Sequence, residues 1–179
     1  MSDAFVSVTA VSDLLFFTVG PRRGLRRGTR ATDWYEVGCS LEASDAAGAR
    51  RAYARAVAGR PDLADAQNNL GRLLHDRAEP GDLAAAEGHY RLAIGAAPRV
   101  ALYWFNLGVV IEDQGRASEA VAAYERALEL DATTADAHFN LARLLEQTGR
   151  RAGDELLLRR AVRHLVQYRE LARTGSTGR

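Results

Sequence analysis

The chain has 179 residues, of which 47% are apolar and 26% charged, and its formal net charge is +1. This balance is typical of a folded globular protein and excludes a disordered chain. A single cysteine, Cys39, excludes an intrachain disulfide and a cysteine-rich metal site, so we expect a reducing cytoplasm as its compartment.

Residues 1–30 show no helical repeat pattern and are predicted to be a non-repeat segment compatible with disorder. The apolar run from Phe5 to Val19 fits either a strand pair or a short helix. Asp13 interrupts the run and arginines follow it, an order unlike a signal peptide, and the run is short for a membrane span. We therefore expect no membrane association. The arginines lack interleaved aromatic residues, which favours a solvated linker over a nucleic-acid contact.

Residues 31–63 carry the first of four similar units. Trp34, Val37, Gly38 and Leu41 fall at i, i+3, i+4 and i+7, the spacing that places side chains on one face of a helix. A second apolar stripe consists of Ala49, Tyr53 and Ala56. The unit is therefore predicted to be a pair of antiparallel helices.

Residues 64–100 and 101–134 repeat this pattern. The second unit is opened by Gln67, Leu70, Gly71 and Leu74, and its turn holds the additional residues Glu79, Pro80 and Gly81. In the third unit the stripes are Trp104, Leu107, Gly108 and Ile111, then Ala120, Val121, Tyr124, Ala127 and Leu128. Gly108 and Ala120 are small where two antiparallel helices approach closely, and large aromatic side chains fill the space beside them.

Residues 135–173 begin as a fourth unit, with His138, Leu141, Ala142 and Leu145 in the equivalent places. After Gly149, residues 150–155 are predicted to lengthen the turn, and a long final helix follows. A stack of repeats needs a terminal element that covers the last apolar face and is polar outside, and we expect this helix to act as that cap. Residues 174–179 are predicted to be a disordered tail.

The pattern W-x2-L-G-x2-I followed by A-x3-Y-x2-A over thirty-four residues resembles the tetratricopeptide repeat. The resemblance covers residues 31–173. It implies an all-α fold, a right-handed superhelical solenoid of four antiparallel helix pairs with a C-terminal capping helix. It also implies a non-catalytic interaction protein that holds a peptide segment of a partner in a concave groove formed by the first helix of each pair.

Three asparagines, Asn69, Asn106 and Asn140, occupy the sixth place of successive units. In tetratricopeptide proteins this place faces the groove. An asparagine amide can pair with both the N–H and the C=O of an extended peptide. The resemblance therefore implies a ladder of amides that holds a ligand, and the alternative is that the asparagines serve the packing between repeats.

Other residues complete the candidate groove. Arg72 and Arg143 could contact ligand carboxylates, and Phe105 and Phe139 make the middle of the groove aromatic, which favours an apolar or amphipathic ligand. Some relatives bind chaperone C-termini through a two-carboxylate clamp that needs a cation at the second place of the unit. The residues at that place are Asp65, Leu102 and Asp136, so this ligand is not expected.

No catalytic, metal or cofactor site is predicted, because the four histidines show neither i, i+4 pairing nor an HExxH arrangement. His138 is expected to be a packed core residue.

A second functional hypothesis is the regulatory part of a transcription regulator. The run DWYEVGCSLE followed by repeats resembles the tail after a helix-turn-helix domain in bacterial regulators of the mercury-resistance type. Residues 1–30 cannot house such a domain, so either the domain is lost or the start of the chain is displaced. The chain alone is not expected to bind nucleic acid.

Overall fold

The computed structural model describes residues 30–176, so nearly all of the predicted N-terminal segment lies outside the described residues. Helices account for most of this range and no strand occurs within it, which confirms the predicted all-α fold. The helices are α1 (Ala31–Leu41), α2 (Ala46–Gly59), α3 (Ala64–Arg77), α4 (Asp82–Ala96), α5 (Ala101–Asp113), α6 (Ala117–Leu130), α7 (Ala135–Ala152) and α8 (Glu155–Ser176).

The helices stack as four hairpins. Each helix packs chiefly against its neighbours in sequence, first within a hairpin and then against the next hairpin. This nearest-neighbour packing is the architecture of a solenoid. We call the first helix of each hairpin the A helix (α1, α3, α5, α7) and the second the B helix (α2, α4, α6, α8). The A helices begin at Ala31, Ala64, Ala101 and Ala135, the first residues of the four sequence units.

A glycine on the A helix faces a tyrosine ring on the B helix in three of the hairpins. The pairs are Gly38 with Tyr53, Gly71 with Tyr90 and Gly108 with Tyr124. A Cβ atom on Gly108 would lie only 2.6 Å from Cε1 of Tyr124, which is fully buried. The small residue is required because the ring occupies the space that a side chain would need. In the fourth hairpin the equivalent residues are Ala142 and Leu165.

The buried side chains form two clusters. The smaller one joins α2 to α3 and includes Tyr53, and the larger one extends from α4 to α8 and includes Tyr90 and Tyr124. Leu74 is partly buried and packs against both clusters. The hydrophobic core is therefore elongated along the stack, with a division inside the second repeat.

The turn of the fourth hairpin differs from the prediction. Residues 150–152 continue α7 instead of lengthening the turn, so that Gly153 and Asp154 make the whole connection. Gly153 ends α7 with a left-handed φ of 67°, which glycine adopts at little cost. The Asp154 carboxylate then accepts hydrogen bonds from the N–H groups of Leu156 (2.8 Å) and Leu157 (3.2 Å), which caps α8.

The final helix also differs from the expectation of a polar outer face. α8 buries Ala161 against α7, but Val162 is 60% exposed and Val166 is 45% exposed. These residues form a second apolar stripe beside the stripe that packs on α7. The helix continues to Ser176, so the predicted tail from residue 174 begins inside α8.

Candidate functional site

The three asparagines lie half-buried on consecutive A helices, and the amide nitrogen of each donates a hydrogen bond to the preceding repeat. Asn69 donates to the Tyr53 hydroxyl (3.2 Å) and Asn140 to the Tyr124 hydroxyl (3.5 Å). Asn106 donates to the side-chain oxygen of Asn68 (2.8 Å). Each amide therefore links two repeats, which is the packing role that the sequence left open.

These bonds leave part of each amide unused. An asparagine side chain has two N–H donors and one acceptor oxygen. The oxygen of Asn69 accepts from the Asn68 amide (3.2 Å), whereas no donor among residues 30–174 reaches the side-chain oxygens of Asn106 and Asn140. At Asn106 and Asn140, one N–H can thus join the repeats while the oxygen and the second N–H remain available to a ligand.

The two candidate arginines are held by carboxylates of the preceding repeat. Arg72 Nη2 lies 2.5 Å from Oε2 of Glu42, and Oε1 of the same carboxylate accepts a hydrogen bond from the Tyr53 hydroxyl (2.5 Å). Together with Asn69 these residues form a Glu–Tyr–Asn–Arg cluster between the first and second repeats. The same cluster recurs between the third and fourth repeats and consists of Glu112, Tyr124, Asn140 and Arg143.

The carboxylates fix the hydrogen-bond direction in both clusters, because a carboxylate can only accept. Burial is the main cause that raises the pKa of Tyr53 and of Tyr124, and the adjacent carboxylate raises each pKa further. Both hydroxyls therefore stay protonated, donate to Glu42 or Glu112, and accept from the asparagine. A ligand carboxylate that bound Arg72 or Arg143 would have to share the guanidinium group with the protein's own glutamate.

The junction between the second and third repeats lacks this cluster. Its equivalent residues are His75, Tyr90, Asn106 and Val109, so it has neither the glutamate nor the arginine. His75 Nε2 instead lies 2.6 Å from Asp113 Oδ2, and Asn68 replaces tyrosine as the partner of Asn106.

Sequence reasoning missed Glu42, Glu112 and Asn68. The recurrence of glutamate at the twelfth place of the repeat was the signal that could have identified the first two.

The two phenylalanines differ in exposure. Phe105 is half-buried beside the larger core cluster, with its ring centroid 5.9 Å from that of Tyr124. Phe139 is 43% exposed and contacts Tyr168 with a centroid distance of 5.1 Å. Phe139 therefore offers more apolar surface to a ligand than Phe105 does.

A histidine pair joins α7 to α8. His138 is buried, its Nε2 lies 3.1 Å from the carbonyl oxygen of Ala132, and its Nδ1 lies 2.9 Å from Nδ1 of His164. The carbonyl can only accept, so Nε2 of His138 donates to it, and the two Nδ1 atoms share one hydrogen between the rings. Burial is the main cause that lowers the pKa of His164, and the nearby His138 ring and the guanidinium groups of Arg160 and Arg163 lower it further.

We expect this pair to make the fold less stable in mild acid. The pKa of His164 is lower in the folded protein than in the unfolded chain, so its contribution is complete above the unfolded pKa of about 6.5 and is lost as the pH falls through that range. The measurement is the free energy of unfolding at neutral and mildly acidic pH, for the wild type and for His164→Gln. The wild type should lose more stability on acidification, and equal losses would contradict the assignment, since all other titrating groups are shared.

The described residues show neither a metal site nor a membrane span. Within residues 30–176, no group of three or more His, Cys, Asp or Glu side chains is arranged to hold a metal ion. None of the helices in that range is long and apolar enough to cross a bilayer.

Two family models match the chain, a tetratricopeptide repeat over residues 41–101 and a TPR repeat over residues 111–149. No curated protein sequence matches it. Among solved structures, the crystal structure of MamA is 18% identical with a TM-score of 0.71, over 82% of this chain and 81% of that chain. MamA 41-end from Desulfovibrio magneticus RS-1 is 20% identical with a TM-score of 0.66, over 82% and 77%.

A further similar structure is the first TPR of Spaghetti (RPAP3) bound to the HSP90 peptide SRMEEVD. It is 19% identical with a TM-score of 0.62, over 70% of this chain and 99% of that chain. Identities this low show a shared fold and leave the ligand of this chain to be argued from its own residues.

Proposed function

Because this chain belongs to the tetratricopeptide-repeat family, we propose that it is a non-catalytic interaction module whose A helices hold an extended segment of a partner protein. The observation that supports this proposal is the row of half-buried asparagine amides, one on each of α3, α5 and α7. The side-chain oxygens of Asn106 and Asn140 are not used by the described residues. A peptide backbone supplies the N–H donors and C=O acceptors that such amides bind.

The charges of the repeats narrow the class of ligand. Residues 31–149 contain eleven arginines and eighteen acidic residues. The two candidate arginines, Arg72 and Arg143, are already paired with glutamates. We therefore expect a ligand without net negative charge that places an apolar side chain on Phe139. The RPAP3 structure holds an acidic peptide, and we expect weak binding of that peptide here, because Asp65, Leu102 and Asp136 supply no cation.

Substituting the three asparagines is the direct test. A peptide is first selected from a random phage-displayed library on the full-length wild-type chain, and its Kd is then measured for the wild type and for Asn69/Asn106/Asn140→Ala. Each neutral hydrogen bond contributes about 0.5–1.5 kcal/mol, so the triple variant should lose about tenfold or more in affinity. Unchanged affinity in a folded variant would rule out the ladder.

Two controls separate ligand binding from repeat packing. Tyr53→Phe/Tyr124→Phe removes the hydroxyl partners of Asn69 and Asn140 but leaves both amides in place. This variant should be less stable and should still bind the peptide. Arg51→Ala and Glu129→Ala change exposed residues of the B helices and should alter neither property. A loss of binding in the tyrosine variant equal to that of the asparagine variant would assign the asparagines to packing alone.

A further inference from the structure

The end of the solenoid carries an open apolar cleft of about 660 Å³ between α7 and α8. We call it the terminal cleft. Its walls include Phe139, Ala142 and Glu146 of α7 and Leu158, Val162 and Leu165 of α8. Val162 is 60% exposed, and Val166, one turn further along α8, is 45% exposed. The described residues thus leave an apolar surface uncovered at the last repeat, which marks an interaction site.

At the previous junction a helix covers the equivalent surface. There α7 lies on the third hairpin, and its Leu141 and Leu144 are buried in one cluster with Ala120 and Tyr124. Val121, the counterpart of Val162, is partly buried against this cluster. The terminal cleft therefore has the shape and residue types of a surface on which an A helix packs.

The charge around the cleft indicates what kind of helix fits. Three arginines and two glutamates line this surface, namely Arg143, Arg150, Arg159, Glu146 and Glu155. Arg150 and Arg159 have side chains that are 74% and 77% exposed, and their partners, Glu146 and Glu155, are on the same helix. Such exposed i, i+4 pairs are weak, so the guanidinium groups of Arg150 and Arg159 can also interact with an acidic partner.

A second copy of the chain fits this surface poorly. Asp33, Glu36 and Ser40 of α1 are exposed at the places where α7 presents Ala137, Asn140 and Leu144 to its neighbour. Burying those polar groups against apolar walls would be costly. Pairing of two α8 helices would bring their arginines together, which is also unfavourable.

We propose that the terminal cleft binds an acidic amphipathic α-helix of another protein, which packs on α7 and α8 as a fifth A helix. The apolar side of the bound helix covers Val162 and Leu158, and its acidic flanks face the exposed arginines. This inference does not rest on the asparagine ladder, although Phe139 and Arg143 line both surfaces. A partner that used both sites would continue from the groove onto the end of the stack.

The test uses a fluorescein-labelled synthetic peptide and the full-length chain. The peptide keeps the junction pattern Ala137, Leu141, Leu144 and Leu145 of α7 at its natural spacing, with Glu and Ala elsewhere. A matched peptide has Arg in place of Glu. Fluorescence anisotropy should show that the acidic peptide binds about tenfold or more tightly than the basic one at low salt, and that high salt reduces the difference.

Substitutions in the cleft complete the test. Val162→Ser/Val166→Ser should weaken acidic-peptide binding about tenfold, whereas Leu92→Ser, which changes a 53% exposed residue of α4, should not alter it. Absence of binding, equal binding of both peptides, or no loss in the valine variant would overturn the proposal. Asn69/Asn106/Asn140→Ala should keep this affinity, so a failure of the ladder is distinguishable from a failure here.

Two other occupants of the terminal cleft would each give a different experimental result. A dimer in sedimentation velocity that Val162→Ser/Val166→Ser converts to a monomer would assign the cleft to a second copy. Tighter peptide binding after Leu14→Asp/Leu15→Asp would assign it to the chain's own apolar run, residues 5–19. Either result would overturn the proposal.

Discussion

Gly108→Ala is expected to destabilise the protein by about 1–3 kcal/mol, because the new methyl group overlaps the buried ring of Tyr124. This expected loss of stability is opposite in sign to the effect of intrinsic helix propensity, which favours alanine over glycine by about 1 kcal/mol. Chemical denaturation measures the free energy of unfolding. A stabilised Gly108→Ala variant would show that the ring can move aside.

Gly88→Ala provides the matched control. Gly88 also lies inside a helix, but no atom lies within 4 Å of the position that its Cβ would occupy. This variant should gain about 1 kcal/mol from helix propensity. The fourth hairpin suggests the rescue, since it has Ala142 and Leu165 in place of glycine and tyrosine. The double variant Gly108→Ala/Tyr124→Leu should therefore lose less free energy of unfolding than the two single variants lose together. Strict additivity of the two losses would contradict the proposed contact.

Leu141→Ala is expected to cost about 3 kcal/mol and to act on one end of the molecule. Leu141 is fully buried in the larger core cluster, so the substitution leaves a cavity in that cluster beside α7. The smaller cluster around Tyr53 contains no residue of α7. Since repeats contact only their neighbours, amide hydrogen exchange should accelerate in α5 to α8 much more than in α1 and α2.

Phe139→Ala is the control for this prediction. It removes a large side chain from the same helix, but one that is 43% exposed. Its effect on the free energy of unfolding should be within about 0.5–1 kcal/mol. An equal loss of exchange protection along the whole chain after Leu141→Ala would show that the solenoid unfolds as a single cooperative unit.

Local patterns predicted the helix pairs well because the information lies within a few residues. Trp104, Leu107, Gly108 and Ile111 mark an A helix by their spacing alone, and α5 contains all four. The turn of the fourth unit was predicted wrongly because Arg150 and Arg151 permit a helix, and Gly153 is the residue that ends it. The polar outer face expected of α8 was wrong because Val162 and Val166 extend the apolar stripe of α8 beyond the part that α7 covers.

The contacts of the candidate site could not be predicted from local sequence patterns. Asn69 and Asn106 could be placed on the A helices from their repeat position. Their bonds to Tyr53 and Asn68 join residues 16 and 38 positions apart, so no short window contains them. The pairing of Arg72 with Glu42, across 30 positions, is of the same kind. The described residues do not test the hypothesis of a transcription regulator whose DNA-binding domain is missing, so that hypothesis stays a prediction.

The glycine–tyrosine contacts restrict the order in which these hairpins can change during evolution. A hairpin that moves from glycine and tyrosine to alanine and leucine must alter two residues on different helices. If alanine appears first, its methyl group overlaps the ring. If leucine appears first, a gap forms and the hydrogen bonds of the tyrosine hydroxyl are lost, but no atoms overlap. The loss of the ring should therefore precede the gain of the methyl group. The second hairpin is the least restricted, because a Cβ atom on Gly71 would lie 3.1 Å from the Tyr90 ring instead of 2.6 Å as at Gly108.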